Sequence, residues 1–179
     1  MIDDEKKKQF TEFYNREADA LFRFVSFRVA IREQVLDIVQ ESFTKFWLVF
    51  MENKPINNHR AFLFTIARNQ IIDWYRKIKP ASLNEMMEEN SNHYFPEPID
   101  QKESDWLKLS AEAHLVTEAL KKLPSKYREA VHLRLIEDLK PQEIAEIIGI
   151  ATNAVSVRIN RGINELRKLL GISKNHTNL

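Results

Sequence analysis

The chain has 179 residues with 27 Lys and Arg against 26 Asp and Glu, so its net charge of +1 leaves any basic binding surface to local segregation of charge. It has no cysteine, which excludes disulfides, cysteine-ligated zinc and a thiol nucleophile and agrees with a reducing, cytoplasmic compartment. Three glycines and six prolines beside 44% hydrophobic residues favour a folded helical protein, and the charged opening MIDDEKKKQF offers neither a signal peptide nor a membrane span.

The first predicted helix runs from about Lys6 to Val29, with Phe10, Phe13, Tyr14, Leu21, Phe24, Val25 and Arg28 on its stripe. A second covers about Arg32 to Met51. Val35, Ile38, Val39, Phe43, Phe46, Trp47 and Phe50 recur there at three- and four-residue steps, which leaves Asp37, Gln40, Glu41, Thr44 and Lys45 for the opposite face. Asn53 to His59 reads as a polar loop around Pro55. The third helix, about Arg60 to Lys77, turns Leu63, Ile66, Ala67 and Ile71 inward. Its second half gathers Arg68, Asn69, Asp73, Trp74, Tyr75, Arg76 and Lys77. Rings interleaved with cations suit a single-stranded nucleic acid, whose bases stack while its phosphates meet the charges. Either ring taken alone is more simply core.

Periodicity breaks from Pro80 to Ser104. Between Glu85 and Asp105 stand Glu85, Glu88, Glu89, Glu97, Asp100, Glu103 and Asp105 against the single Lys102, and 81–104 reads as an acidic flexible linker. Helices resume near Asp105. Leu115, Ala119, Leu120 and Leu123 pattern one that stops at Pro124, and Tyr127, Val131, Leu135 and Leu139 pattern the next. The predicted fold is all-α, with two small helical domains, 1–80 and 105–179, on either side of the linker.

Lys140 to Leu170 predicts two helices about a tight turn. Pro141 suits a first turn, Ile144, Ala145 and Ile148 share a face, and Gly149 can end the helix with positive φ. The next helix starts at about Thr152, whose hydroxyl is expected to cap it. Val155, Ile159, Ile163, Leu166 and Leu170 form its apolar stripe. Asn153, Ser156, Asn160 and Asn164 lie elsewhere, flanked by Arg158 and Arg161. This is the plan of a helix-turn-helix whose second helix enters a DNA major groove. An αα-hairpin with a solvated outer face is the plainer alternative.

Enzymatic chemistry is not expected, and neither is a metal or other cofactor. There is no glycine-rich phosphate loop and no HExxH. His59, His93, His114, His132 and His176 are scattered without ligand spacing and are expected mostly at the surface. Asp37 and Glu41 share a helical face, which fits a solvated edge or a protein contact better than acid–base catalysis.

Three segments in order resemble the sigma-70 family of bacterial transcription initiation factors, and the short two-domain layout resembles its extracytoplasmic-function (ECF) group. DIVQESFTKFW, Asp37 to Trp47, is similar to the family's region 2.2, which implies that Asp37, Gln40 and Glu41 meet the clamp helices of the polymerase β′ subunit. RAFLFTIARNQIIDWYRK, Arg60 to Lys77, is similar to regions 2.3 and 2.4, which melt the −10 promoter element. That assigns Arg68, Asn69, Asp73, Trp74, Arg76 and Lys77, with the loop residues Asn57 and Asn58, to the separated strand. Leu123 to Leu170 resembles region 4, which places Thr152, Asn153, Ser156, Val157, Arg158 and Arg161 at the −35 duplex. The chain departs from the family at Ala151, where a capping Ser is common, at Ser156, often a cation, and at Val157, often small and polar.

The resemblance implies core RNA polymerase and promoter DNA as partners, admits an anti-sigma factor, and implies no membrane insertion. It implies promoter-specific initiation, with the acidic linker repelled by DNA but accommodated in a basic polymerase channel. A stand-alone helix-turn-helix regulator would explain the C-terminal half equally well. It would leave the acidic linker and DIVQESFTKFW beside RAFLFTIARN without a role.

Overall fold

The computed structural model describes residues 4–78 and 111–172. The described residues form helices and connections, with no strand: α1 Asp4–Ser26, α2 Arg32–Met51, α3 His59–Ile78, α4 Ala111–Lys122, α5 Ser125–Leu135, α6 Pro141–Ile148 and α7 Thr152–Leu169. The expected acidic linker, 81–104, lies outside the described residues.

The first three helices form where their stripes predict, except that Tyr14 of the α1 stripe is exposed. Phe13 and Phe46 stack with centroids 4.6 Å apart, and Phe24 meets Phe64 at 5.2 Å, tying α1 to α2 and to α3. The α2 stripe sinks from Val35 to Phe46, while Trp47 and Phe50 stay half-buried. Helix α1 ends at Ser26, three residues short of expectation. Phe27 and Arg28 turn out of it, yet Arg28 remains buried, 1% exposed. Asn53 stops α2 in the left-handed region at φ 55°, which a short polar side chain tolerates. Its amide oxygen accepts a hydrogen bond from Lys6 Nζ at 2.6 Å, fastening the loop to α1. Asn58 then caps α3, its Oδ1 accepting from the Ala61 amide at 2.9 Å.

The C-terminal helices form the expected helix-turn-helix. Pro141 sits in the first turn of α6, and the Glu143 carboxylate reaches back to accept from the Lys140 amide at 2.7 Å. Gly149 ends α6 at φ 78°, as its position predicts. The cap of α7 differs from expectation. Ala151 occupies the cap position without a side-chain hydrogen bond, and Thr152 lies one residue too late to serve. Leu135 and Leu115 also depart from their predicted core positions, at 47% and 65% exposed. Leu135 faces solvent in the last turn of α5, and Leu139 is buried after the chain reverses at Asp138, φ 51°. Leu115 lies in the first half of α4, whereas the buried residues of that helix, Ala119 and Leu120, are in its second half.

The two halves share a buried cluster. Leu21, Phe24, Leu63, Phe64 and Ile71 of the first belong to it with Leu133, Leu139, Ile144, Ile147 and Val155 of the second. Helix α3 is the common wall, packed on α1 and α2 and also on α6. Burying each large aliphatic or aromatic side chain contributes about 1.5–3 kcal/mol, so the shared cluster is a substantial part of what holds the halves together.

Helices α5 and α7 meet at Gly162. A methyl group there would collide with the Val131 side chain and lie 3.0 Å from Tyr127 Cβ. The sequence offers only the hint that a glycine inside a helix needs a packing reason. Gly162→Ala should lose about 1–3 kcal/mol of stability despite its better helix propensity, measured by urea unfolding. A gain would show that α5 and α7 lie farther apart than described.

Candidate nucleic-acid interface

Helix α7 divides its faces sharply. Val155, Ile159, Gly162 and Leu166 are buried, while Asn153, Val157, Asn160, Arg161 and Asn164 are exposed. Thr152, Ser156 and Arg158 are half-exposed, and the Ser156 hydroxyl donates to the Thr152 carbonyl at 3.1 Å. Arg161 lies beside Tyr127 of α5. Desolvation pushes the Tyr127 hydroxyl up, but hydrogen bonds from Arg161 and Lys126 outweigh it and leave the pKa below its ordinary value. Arg161 is thereby positioned at the edge of an amide-rich face, the arrangement by which a helix in a major groove combines base and phosphate contacts.

Asp37, Gln40 and Glu41 are all exposed along one edge of α2, whose stripe is already packed. Glu41 pairs with Lys45 one turn later at 2.9 Å, and both are half-exposed, so the pair contributes little to stability. This acidic edge is open to solvent.

On α3 the predicted site residues divide. Asn69, Asp73, Arg76 and Lys77 share an exposed edge, with Arg76 Nη1 3.4 Å from Asp73 Oδ1. Trp74 and Tyr75 are half-buried against the core and meet edge-on at 4.8 Å; the Tyr75 hydroxyl donates to the Arg28 carbonyl at 2.6 Å. Asn57 is exposed on the loop, whereas Asn58 is half-buried. Arg68 points away from this edge and is buried against the C-terminal half. It forks onto Glu129 of α5, with Nε–Oε1 at 2.7 Å and Nη2–Oε2 at 3.3 Å.

That pair belongs to a polar layer between the halves. Asn58 donates through Nδ2 to Glu143 Oε1 at 3.0 Å. Arg23 Nη2 lies 3.1 Å from Glu137 Oε2, and Arg60 donates to the Glu137 carbonyl at 2.7 Å. Arg28 donates from Nη1 to His132 Nδ1 at 3.0 Å, which makes the neutral imidazole carry its proton on Nε2, facing Glu137 Oε1 at 3.7 Å. The five histidines are expected mostly at the surface, and His132 departs from that expectation. It is instead 2% exposed, because Phe27 and Arg28 cover the inward face of α5. Burial lowers Arg28 to about 9, still a cation at neutral pH, with Glu129 opposing the shift and Arg68 and Arg128 adding to it. Of Arg23, Arg28, Glu129, Glu137 and Glu143, the sequence singles out Arg28 alone, as a cation on an apolar stripe.

Burial holds His132 down at about 4, with Glu137 opposing and the Arg28 charge reinforcing the shift. The unfolded imidazole takes a proton near 6.5 while the folded one does not until about 4, so the unfolded chain binds more protons between these values. Stability should therefore fall as pH drops from about 6.5 toward 4, with no contribution from this group above 6.5. His132→Gln should flatten that interval in denaturation curves taken across a pH series; an unchanged slope would place the titration elsewhere.

No helix among the described residues is long and apolar enough to cross a membrane, and these residues include no cluster able to hold a metal. Comparison with known proteins agrees with the two-part geometry. The model of Sigma-70 region 2 matches residues 13–80, and that of Sigma-70, region 4, matches residues 113–166. The ECF RNA polymerase sigma factor SigW of Bacillus subtilis is 33% identical over 139 residues, covering 75% of this chain and 74% of that protein. The RNA polymerase sigma factor YlaC of the same organism is 24% identical over 159 residues, 89% of this chain and 88% of its own. Among solved structures, CnrH in complex with the cytosolic domain of CnrY aligns with TM-score 0.63 and 26% identity, covering 94% of this chain and 91% of that one. The sigma factor RpoE in complex with the anti-sigma factor NepR, from Bartonella quintana, shares the fold with TM-score 0.66 at 24% identity, over 93% and 99% of the two chains. With both regions matched in order and a relative aligned across most of both lengths, the chain belongs to the sigma-70 family of RNA polymerase sigma factors, in its ECF group.

Proposed function

We propose that this sigma factor uses the acidic edge of α2 to bind core RNA polymerase, the outer face of α7 to read the −35 duplex, and the α3 edge with its preceding loop to engage the −10 strand. Asp37, Gln40 and Glu41 meet the β′ clamp helices. Asn153, Ser156 and Val157, with Thr152, face base edges, while Arg158 and Arg161 meet phosphates. Asn57, Asn58, Arg68, Asn69, Asp73, Trp74, Arg76 and Lys77 receive the separated strand. The observation that carries this reading is a helix-turn-helix with an open polar face in the same chain as an acidic helix edge whose opposite stripe is already packed. A stand-alone regulator has no use for that edge. Sigma factors are initiation factors rather than enzymes. This one works in the cytoplasm beside DNA and polymerase, and an anti-sigma factor is its further partner.

Unpairing costs a few kcal/mol per base, so a chain of this size holds a bubble open only together with the polymerase. The core contact is therefore the first test. Asp37→Arg combined with Glu41→Arg should abolish capture of core polymerase while leaving circular dichroism unchanged, since exposed substitutions cost only about 0.5 kcal/mol. Retained capture by the folded double variant would remove this edge from the interface.

DNA docking is tested separately. Arg158→Ala and Arg161→Ala should each reduce the salt slope of promoter binding by the holoenzyme by about 1, the signature of one lost phosphate contact. Asn153→Ala should instead change base preference at −35, by about 1–3 kcal/mol at one base pair. Wild-type affinity and slope in both arginine variants would overturn the docking of α7.

A further inference from the structure

We infer that Lys6, near the start of α1, is a positioning residue for the loop between α2 and α3, which presents Asn57 and Asn58 to the −10 strand. This deepens the proposed function and rests on its assignment of those two asparagines. The loop covers 52–58 and has no glycine to ease its turns. It leaves α2 through Asn53 in the left-handed region, φ 55°, which residues other than glycine adopt only where their surroundings support it. The support comes from 47 positions away: Lys6 Nζ donates to Asn53 Oδ1 at 2.6 Å and lies 3.4 Å from the Met51 carbonyl. Met51 is the last residue of α2. A helix ends in carbonyls that lack partners and carry partial negative charge, so a cation is favoured there. The Glu52 and Asn53 amides take the Leu48 and Phe50 carbonyls, and α2 has no basic residue in its last turn. The cation at its end is supplied by α1 instead. One ammonium thus closes α2 and holds the first turn of the loop.

The rest of the loop has its own fixed points. Lys54 pairs with Glu52 at 2.6 Å, Ile56 packs on the buried cluster, and Asn58 Oδ1 caps α3. Asn57 stands exposed among them. With entry and exit both tied, the placement of Asn57 is set before a strand arrives, and binding does not have to order the loop. A hydrogen bond weakens steeply when misaligned, so an amide on a loop tells one base from another only if the loop is held. Lys6 belongs to neither apolar cluster, so its contact bears on the loop more than on the fold. Its removal is therefore expected to reduce base preference while leaving the helices intact.

The test uses holoenzyme and a single-stranded oligonucleotide with a randomised central stretch, whose bound fraction is sequenced. Asn57→Ala should flatten the base preference at one position, the one the loop reads. Lys6→Met and Asn53→Gly should each flatten it at that same position, by about three- to tenfold, the scale of one exposed charge-assisted hydrogen bond. Asn53→Gly keeps the left-handed turn and removes the acceptor. The two changes together should lose no more than either alone, since both remove one contact. Lys6→Arg and Asn53→Asp, which preserve a cation and an acceptor, should keep the wild-type preference. Lys8→Met, an equal charge change at an exposed site on α1, should keep it too. In the free chain, amide hydrogen exchange should quicken over 53–58 in Lys6→Met and Asn53→Gly while the helices keep their protection. If Asn57→Ala flattens the preference but Lys6→Met and Asn53→Gly do not, or if loop exchange is unaltered, the positioning role is overturned and the loop's contact with the strand stands. If Asn57→Ala has no effect either, the loop leaves the strand site, and the inference falls with that part of the proposed function.

Discussion

The relation between the halves turns on the buried fork of Arg68 and Glu129. Both side chains are 8% exposed, so neither charge has water to fall back on, and each is tolerable only because the other is there. Arg68 comes from the middle of α3 and Glu129 from the first half of α5. Their meeting links α5 to α3, while α6 packs on α3 directly. Glu137 plays the companion role at the other end of α5. Its carboxylate takes Arg23 from α1 and its carbonyl takes Arg60 from α3, so a single residue reaches two helices of the N-terminal half. Removing one member of such a pair costs about 3–5 kcal/mol, far more than an exposed ion pair contributes.

Each helix to which the proposed function gives a role has first satisfied its packing. Helix α2 commits Val35, Ile38, Val39, Phe43 and Phe46 to the core, which leaves its acidic edge free of structural duty. Helix α7 commits Val155, Ile159, Gly162 and Leu166, and the absence of a side chain at Gly162 lets it approach α5 closely enough to be held rigidly. Helix α3 serves three neighbours. Leu63, Phe64 and Ile71 belong to the shared core, Arg68 faces α5, and Asn69, Asp73, Arg76 and Lys77 look outward. Helix α3 thus has one polar part exposed to solvent and another, Arg68, buried against the C-terminal half.

Periodicity and end signals were enough to locate the helices. The stripe of α2 reads at three- and four-residue steps, and its bounds follow; Pro141 and Gly149 bracket α6; the exposed face of α7 follows from the burial of its stripe. The acidic edge and the helix-turn-helix, and through them the family, were legible for the same reason: they are short-range patterns that a local helix expresses in full. Local reading failed where the chain leaves a helix. Leu135 faces solvent in the last turn of α5, while Leu139, beyond the turn at Asp138, is buried. Thr152 missed the cap by one residue, because a cap depends on where the backbone leaves the extended region, here at Ala151.

What the sequence determined by itself is the set of helices, their apolar faces and the charges left over. What only the tertiary structure decided is which charges are left over for whom. Arg68 and Asn69 are adjacent and both polar, yet a step of one residue turns a side chain about 100° around the helix, sending one into a buried fork and the other to solvent. His132 has no local mark that separates it from a surface histidine. It is buried because Phe27 and Arg28, more than a hundred positions away in the chain, come to rest on it. Pairing of buried charges is a relation between distant segments, and periodicity along one segment carries no information about its partner.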